Sequence, residues 1–256
     1  MASKQVTDRE KSTRAVAAAA ETHAADIAAG FQRELAPHLH KGETLPDVAL
    51  LARLIGRRLE SDSIALVAAD QAHEQELSDD AGPREDRDTA AQKVRSVLVD
   101  VRAAVDATFG PRVLTVLGLA PAVPVDPSVL ATTAEAVSRA LKDTSIKLPK
   151  PKRAGMKLDR AAFAGDIDAE LPALHNALQT VAREDREKEA TQRAKNGAMD
   201  RNDVTFSRGA EWLSASALVA GLDDIAAKVR PSGRRPGRTA TTDEEGDAPA
   251  PPDGNG

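Results

Sequence analysis

The sequence predicts an all-α fold, a bundle of about five long amphipathic helices with one or two short ones. Aromatic residues make up 2% of the 256 residues, and tyrosine is absent. Since strands favour aromatic and β-branched side chains, whereas alanine and unbranched side chains favour helices, this composition indicates helices. Apolar residues also recur three or four positions apart over long segments, which keeps them on one helix face.

Three long helices are predicted in the first half of the chain, over residues 7–36, 47–77 and 84–108. The second begins after Pro46, and a turn rich in Asp, Gly and Pro separates it from the third. In the second helix the predicted buried stripe is Leu51, Ile55, Leu59, Leu66, His73 and Leu77. In the third it is Val94, Leu98, Val101, Val105 and Thr108.

The second half begins with an apolar connector that contains several prolines, followed by a shorter helix over 127–142 with proline in its first turn. A basic loop follows at 144–158. Two further helices are predicted over 159–195 and 202–219, and Pro172 predicts a kink or a restart inside the first of them.

The domain organisation predicted from these elements is a single helical-bundle domain over residues 7–230. A flexible N-terminus over 1–6 precedes it, and a disordered tail over 231–256 follows it. The domain can also be divided into halves, 7–143 and 159–230, joined by the basic loop 144–158. Val67 and Ala68 match Val181 and Ala182 at an offset of 114 residues. This match is explained equally well by two pseudo-repeated helical hairpins and by chance.

Several classes of protein are excluded by missing residues and motifs. The chain has no cysteine, and hence no disulfide, thiolate nucleophile or cysteine-type zinc site. Serine-hydrolase, metalloprotease, phosphate-loop and dinucleotide-binding motifs are absent as well. We therefore expect no cofactor. A non-enzymatic protein is the favoured interpretation, since an enzyme would need a catalytic site without a known motif. No apolar run is long enough for a signal peptide or a membrane span, so we expect a cytoplasmic protein without membrane contact.

One polar group on the second predicted helix has the spacing of a metal site. Asp70 and His73 are three residues apart, and Glu76 lies one further turn along the same face. Helical di-iron proteins use a carboxylate and a histidine at this spacing on two helices. The pair occurs once here, so a solvated helix face is the favoured interpretation, and a metal-dependent helical enzyme is the third hypothesis for function.

Two basic segments, 147–157 and 228–238, are rich in helix breakers and are predicted to be exposed. Basic loops of this kind can bind phosphates. The candidate nucleic-acid contacts are Lys147, Lys150, Lys152, Arg153, Lys157, Arg230, Arg234, Arg235 and Arg238. The net charge of −5 and the near absence of aromatic residues favour ordinary solvated loops instead.

The segments "EWLSASALVAGLDDIA", "GLDDIAAKVRPSGRRPG" and "RDTAAQKVRSVLVDVRAAVDATFG" resemble a family of uncharacterised bacterial all-helical proteins. The resemblance covers about a third of the chain and implies a helical fold and a bacterial origin. It implies no activity and no site residues.

The favoured function is that of a structural or protein-interaction protein, because long amphipathic helices without catalytic motifs present faces to partners. The partner can be another protein or a second copy of the chain. A nucleic-acid accessory protein that binds through the two basic segments is the alternative.

Overall fold

The computed structural model describes residues 3–79, 81–119 and 122–240. Within these ranges the protein is an all-α helical bundle without a β-strand, which confirms the predicted fold class. The helices are α1 (Lys4–Thr22), α2 (Ala24–Leu35), a 3-10 turn (Ala36–His38), α3 (Val48–Asp79), α4 (Ala81–Phe109), α5 (Pro111–Val116), α6 (Pro127–Lys142), α7 (Arg160–Val219) and α8 (Asp223–Val229).

The chain divides into two compact units. The first unit combines Met1–Gln75 with Glu189–Gly256, and the second unit is Glu76–Lys188. Helices α3 and α7 contribute residues to both units. These boundaries differ from the predicted halves 7–143 and 159–230, because the first unit pairs the beginning of the chain with its end. The internal duplication stays a prediction.

The core of the first unit is built from α1, α2, the first part of α3, the last part of α7, and α8. Phe206 is its largest fully buried side chain. The other buried members are Val16, Ala20, Ala24, Ile27, Val48, Ala52, Leu59, Ala210, Leu213 and Val229. With so many alanines in the core, the helices pack closely. A methyl group added at Gly56 of α3 would lie 3.1 Å from Cβ of Ala20 on α1.

The core of the second unit lies between α4, α5, α6 and the first part of α7. It contains the predicted stripe of α4, since Val94, Leu98, Val101 and Val105 are fully buried. Helix α6 has the predicted bounds, and its N-cap explains the start. The Asp126 carboxylate accepts hydrogen bonds from the backbone N–H groups of Ser128 and Val129 at 3.0 and 2.9 Å.

Arg160, the first residue of α7, pairs with the backbone carbonyl groups at the C-terminal end of α6. Its guanidinium donates to the carbonyl oxygens of Ala140, Leu141, Asp143 and Ile146 at 2.6–3.2 Å. A helix ends with unpaired carbonyl groups that carry partial negative charge, so a cation there is stabilising.

Two helix boundaries differ from the prediction. The predicted first helix is divided at His23 into α1 and α2. Val16, Ala20 and Ala24 are spaced by four residues, which in a regular helix rotates each step about 40° past a full turn. The interruption at His23 accompanies burial of all three.

The predicted helices 159–195 and 202–219 are one helix, α7, of 60 residues. Pro172 neither ends nor restarts it, because Leu171 and Leu174 on either side are buried in the core of the second unit. The segment between the predicted helices contains Gly197, which costs only about 1 kcal/mol in a helix. Ala198 and Asn202, which follow Gly197 in the chain, are buried, so packing holds this segment in the helix.

The chain termini also differ from the prediction. Residues 4–6, expected to be flexible, lie in α1, and Val6 is fully buried because it packs near Leu66 and Ala198. Residues 231–240, expected to be disordered, form a turn. In that turn Pro231 and Thr239 make an antiparallel bridge, and the Ala240 N–H donates to the Arg230 carbonyl. Residues 241–256 of the predicted tail lie outside the described residues.

Among the described residues, none of the helices combines the length and the apolar content that crossing a lipid bilayer requires.

A glycine-to-alanine pair tests how tightly the first unit is packed. A methyl group at Gly30 of α2 would lie 2.3 Å from Cβ and 2.5 Å from Cα of Ala220. We expect Gly30→Ala to reduce the free energy of unfolding by about 1–3 kcal/mol through overpacking. Urea denaturation measures the change.

Gly197→Ala is the matched control, because a methyl group there meets only Arg201 at an ordinary 3.6 Å. Alanine is the better helix former, so this variant is expected to gain about 0.5–1 kcal/mol. Equal effects of the two substitutions would contradict the close approach of α2 to Ala220.

Candidate functional site

A concave surface of the first unit is a groove between α3 and α7. Its α3 wall consists of Leu51, Leu54, Ile55 and Arg58. The wall follows the spacing i, i+3, i+4, i+7, so these side chains lie on one helix face. Leu51 and Leu54 are 43% and 48% exposed, although both are aliphatic.

The α7 wall of the groove consists of Val204, Thr205, Arg208, Gly209 and Trp212. Val204 is 49% exposed, and Trp212, the single tryptophan of the chain, is half-buried. The groove has a volume of about 520 Å³, and we call it the α3–α7 groove.

Gly209 forms the floor of the α3–α7 groove. A methyl group there would lie 3.0 Å from Cγ2 of Ile55 and 3.4 Å from both terminal methyl carbons of Leu59. Because Gly209 has no side chain, α3 approaches the α7 backbone closely at this point. The larger lining residues of α3 and α7 form the walls on either side of it. A side chain at this position would crowd Ile55 and Leu59.

The charged side chains that line the α3–α7 groove are both arginines. Arg58 donates through Nε to Asp62 at 3.0 Å, one helical turn away, and is 65% exposed. Arg208 is exposed and makes no ion pair or hydrogen bond through its side chain within the described part of the chain. The groove is thus an apolar surface with a positive rim on a chain whose net charge is −5.

Asp70, predicted as a metal candidate, lies in a buried polar cluster of the first unit. Its carboxylate is inaccessible to solvent and contacts Lys195 Nζ of α7 at 2.6 Å. It also accepts hydrogen bonds from the Ser3 N–H at 2.7 Å and the Ser3 hydroxyl at 3.0 Å. We call Asp70, Lys195 and Ser3 the Asp70 cluster. It joins α3 and α7 to the N-terminus of α1.

The electrostatics of the Asp70 cluster favour the ionised carboxylate. Burial acts to raise the pKa of Asp70, but hydrogen bonds from Lys195 and Ser3, together with the Lys195 charge, hold the pKa below its ordinary value. Both carboxylate oxygens are occupied by protein donors. The arrangement therefore has the properties of a structural ion pair.

The structure places the other two metal candidates with different partners. His73 is 5% exposed, and its Nδ1 lies 3.0 Å from the Thr191 hydroxyl of α7. Glu76 belongs to the second unit, where its carboxylate lies close to those of Glu184 and Glu187. Among the described residues, these three glutamates are the acidic or histidine side chains that lie close enough together to hold a metal ion. Neither Asp70 nor His73 belongs to this group. The predicted ligand set is therefore not brought together as one group.

The basic residues of segment 147–157 lie in the second unit and are exposed. Lys152 is held in place: its Nζ donates to the Asp106 carbonyl at 3.0 Å, and its backbone N–H donates to the Thr108 carbonyl at 2.8 Å. The remaining candidates, Lys147, Lys150, Arg153 and Lys157, project from the same loop.

The basic residues of segment 228–238 lie in the first unit. The Arg238 guanidinium forms an ion pair with Asp8 of α1. The Ser232 hydroxyl accepts hydrogen bonds from the backbone N–H groups of Arg234 and Arg235 at 3.1 and 2.9 Å. At least one of the predicted phosphate contacts is thus used to fasten the C-terminal turn to α1.

The α3–α7 groove was not anticipated from the sequence, where Leu51 is predicted as a buried stripe residue. A signal for it does exist. The segment "VALLARLI" at 48–55 contains more apolar residues than one buried helix face requires. Leu51 and Leu54 are the surplus, and they form the exposed wall.

No family model matches the chain, no curated protein matches its sequence significantly, and no solved structure matches its fold significantly. The resemblance to bacterial helical proteins therefore gains no further support, and function rests on the residues described above.

Asp70→Asn tests the Asp70 cluster. Asparagine removes the negative charge and leaves the Lys195 ammonium without its counter-ion, so the free energy of unfolding is expected to fall by about 3 kcal/mol at pH 7. Because the pKa of Asp70 is lower in the folded than in the unfolded protein, the ionised carboxylate stabilises the fold, and this stabilisation is complete at pH values above the ordinary pKa of 3.8. It is lost as the pH falls through the pKa of the folded state. The difference between wild type and variant should therefore narrow below about pH 4. Urea denaturation across pH measures it.

Asp168→Asn is the matched control. Asp168 also accepts from a lysine, Lys142, and from a serine, Ser138, but its side chain is 41% exposed. Because water can replace these partners, the expected loss is below about 1 kcal/mol. A loss at Asp70 no larger than that at Asp168 would show that burial adds nothing to the pair.

Proposed function

We propose that this protein acts by binding another protein, and that the α3–α7 groove is its docking surface. The observation that supports this proposal is the continuity of the exposed apolar wall: Leu51, Leu54 and Val204 are each more than two-fifths exposed and line one concave surface. Exposed apolar residues that occur singly are common and carry no meaning, whereas a contiguous patch favours an interaction site.

The groove offers apolar surface that a partner could cover with a gain in free energy. Covering a half-exposed leucine contributes roughly 1 kcal/mol, at about 25 cal/mol per Å² of apolar surface. Half-buried Trp212 adds a flat ring with an N–H donor, the residue type most enriched among strongly contributing interface residues. The groove lining offers no carboxylate, imidazole or lysine for acid–base chemistry, which favours binding over catalysis as its use. We expect the protein to act in the cytoplasm.

The nucleic-acid alternative has less support from the structure. Phosphate binding requires arginines and lysines that are free to reach a polyanion. Arg238 and Lys152 have partners within the protein, and the two basic segments belong to different units. The exposed candidates Lys147, Lys150, Arg153 and Lys157 remain as a local positive loop in the second unit, and Arg230 and Arg234 are exposed in the first unit.

Leu54→Asp tests the docking surface. A carboxylate in the groove wall would have to be desolvated on binding, so recovery of a true partner should fall by about tenfold or more. Wild type and variant are cross-linked in an extract of the cells that produce the protein, and captured proteins are quantified by mass spectrometry.

Ile64→Asp is the matched control, because Ile64 lies on the same helix, is 64% exposed and does not line the groove. A partner counts only if wild type and Ile64→Asp recover it and Leu54→Asp does not. Circular dichroism establishes that both variants are folded. If every captured protein is recovered equally by the two variants, the groove is not the docking surface.

The proposal also predicts the behaviour of the basic loop. Replacing Lys147, Lys150, Arg153 and Lys157 with glutamine should leave retention of the protein on DNA and RNA unchanged at about 50 mM salt, where phosphate contacts are strong. Filter binding measures this. Salt-sensitive retention by wild type that the quadruple variant loses would favour the nucleic-acid function instead.

A further inference from the structure

We propose that the occupant of the α3–α7 groove is an amphipathic helix of another protein, with carboxylates flanking its apolar face. This inference rests on the proposed function and adds the chemistry of the partner.

The shape of the groove favours a helical occupant. The α3 wall extends from Leu51 to Arg58 and the α7 wall from Val204 to Trp212, which at 1.5 Å per residue is roughly 10–12 Å, or about two helical turns. Both walls are helices, whose side chains form ridges and grooves that receive a third helix. Helix-in-groove recognition of this kind uses apolar residues at i, i+3 or i+4, and i+7 of the bound segment.

The charge of the groove selects the flanking residues of that helix. Arg58 on one wall and Arg208 on the other are the charged side chains of the lining. Arg208 has no partner among the described residues, and Arg58 contacts Asp62 through Nε, which leaves its terminal nitrogens for another acceptor. An arginine fork binds a carboxylate by two parallel hydrogen bonds. An acidic helix therefore meets a donor on each wall.

The lining also disfavours a second copy of the chain as the occupant. In a two-fold symmetric dimer centred on the groove, each copy would present the same lining, which contains two arginines and no carboxylate. Arg58 has Asp62 beside it, but Arg208 has no partner among the described residues, so the dimer would add positive charge at the interface without an acceptor for Arg208.

Trp212 provides a direct measurement, because it lines the groove and is the single tryptophan of the chain. The probe is a synthetic alanine-rich peptide of about 18 residues, long enough to form a helix, with leucine at i, i+4, i+7 and i+11 and glutamate beside that stripe. A second peptide carries lysine in place of each glutamate. Neither peptide contains tryptophan, so a change in emission reports on the full-length protein.

The glutamate peptide is expected to shift Trp212 emission to saturation, with a Kd on the order of tens of micromolar for an interface this small. The lysine peptide should bind at least about tenfold more weakly, and the preference should diminish as salt is raised. In the double variant Arg58→Gln with Arg208→Gln the two peptides should bind about equally.

Arg57→Gln with Arg201→Gln is the matched control: both arginines lie on the same two helices and outside the groove lining, and this variant should keep the full preference for glutamate. Equal binding of the two peptides to wild type, or no shift with either, would overturn the inference. So would a concentration-dependent Trp212 shift accompanied by dimerisation in sedimentation, since a second copy would then occupy the groove. The cross-linking comparison of Leu54→Asp with Ile64→Asp is independent of peptide charge, so the docking proposal can survive when this inference fails.

Discussion

Helices that carry few large side chains can bury a continuous core only when their backbones come close together, because an alanine methyl reaches a short distance from the helix axis. The first unit meets this constraint at glycines. Gly30 faces Ala220, Gly56 faces Ala20, and Gly209 faces Ile55 at distances that leave no room for a methyl group without movement. Dispersion contacts fall off steeply with separation, so these close approaches hold the alanine-rich helices together. The α3–α7 groove is a result of the same constraint, because its floor is one of these glycines.

The Asp70 cluster adds a directional restraint to this packing. Apolar contacts between alanine-rich helices are compatible with several registers, since one methyl group resembles another. A buried carboxylate that must accept from both Ser3 and Lys195 is satisfied in one register alone. Replacement by apolar residues can match such an ion pair in stability. We therefore attribute to Asp70 the alignment of α1, α3 and α7 near the N-terminus.

The sequence predicts local features well where the determinants are local. Helix α6 begins as expected because Asp126 caps it and Pro127 fits its first turn. The continuity of α7 could not be predicted, since burial of Ala198 and Asn202 by distant parts of the chain outweighs the weak break at Gly197. The candidate site could not be predicted from the sequence for the same reason, because distant parts of the chain form it. Leu51 has the spacing of a core residue, but it is exposed and lines a groove whose other wall, with Val204 and Trp212, is remote in sequence. Asp70 likewise has a partner, Lys195, that no local spacing identifies.

The division of the chain into two units also affects when each unit can fold during synthesis. The second unit is one continuous segment, so all of its residues have been synthesised once Lys188 is added. The first unit has its N-terminal segment at the start and its remaining segment at the end, with the whole of Glu76–Lys188 between them. Joining distant segments carries a loop-closure entropy that the local contacts of the second unit avoid. During translation, the surfaces of α1, α2 and the start of α3 that pack against Phe206, Ala210 and Leu213 therefore stay uncovered until the end of α7 has been made. Apolar surface exposed in this interval favours aggregation and chaperone binding.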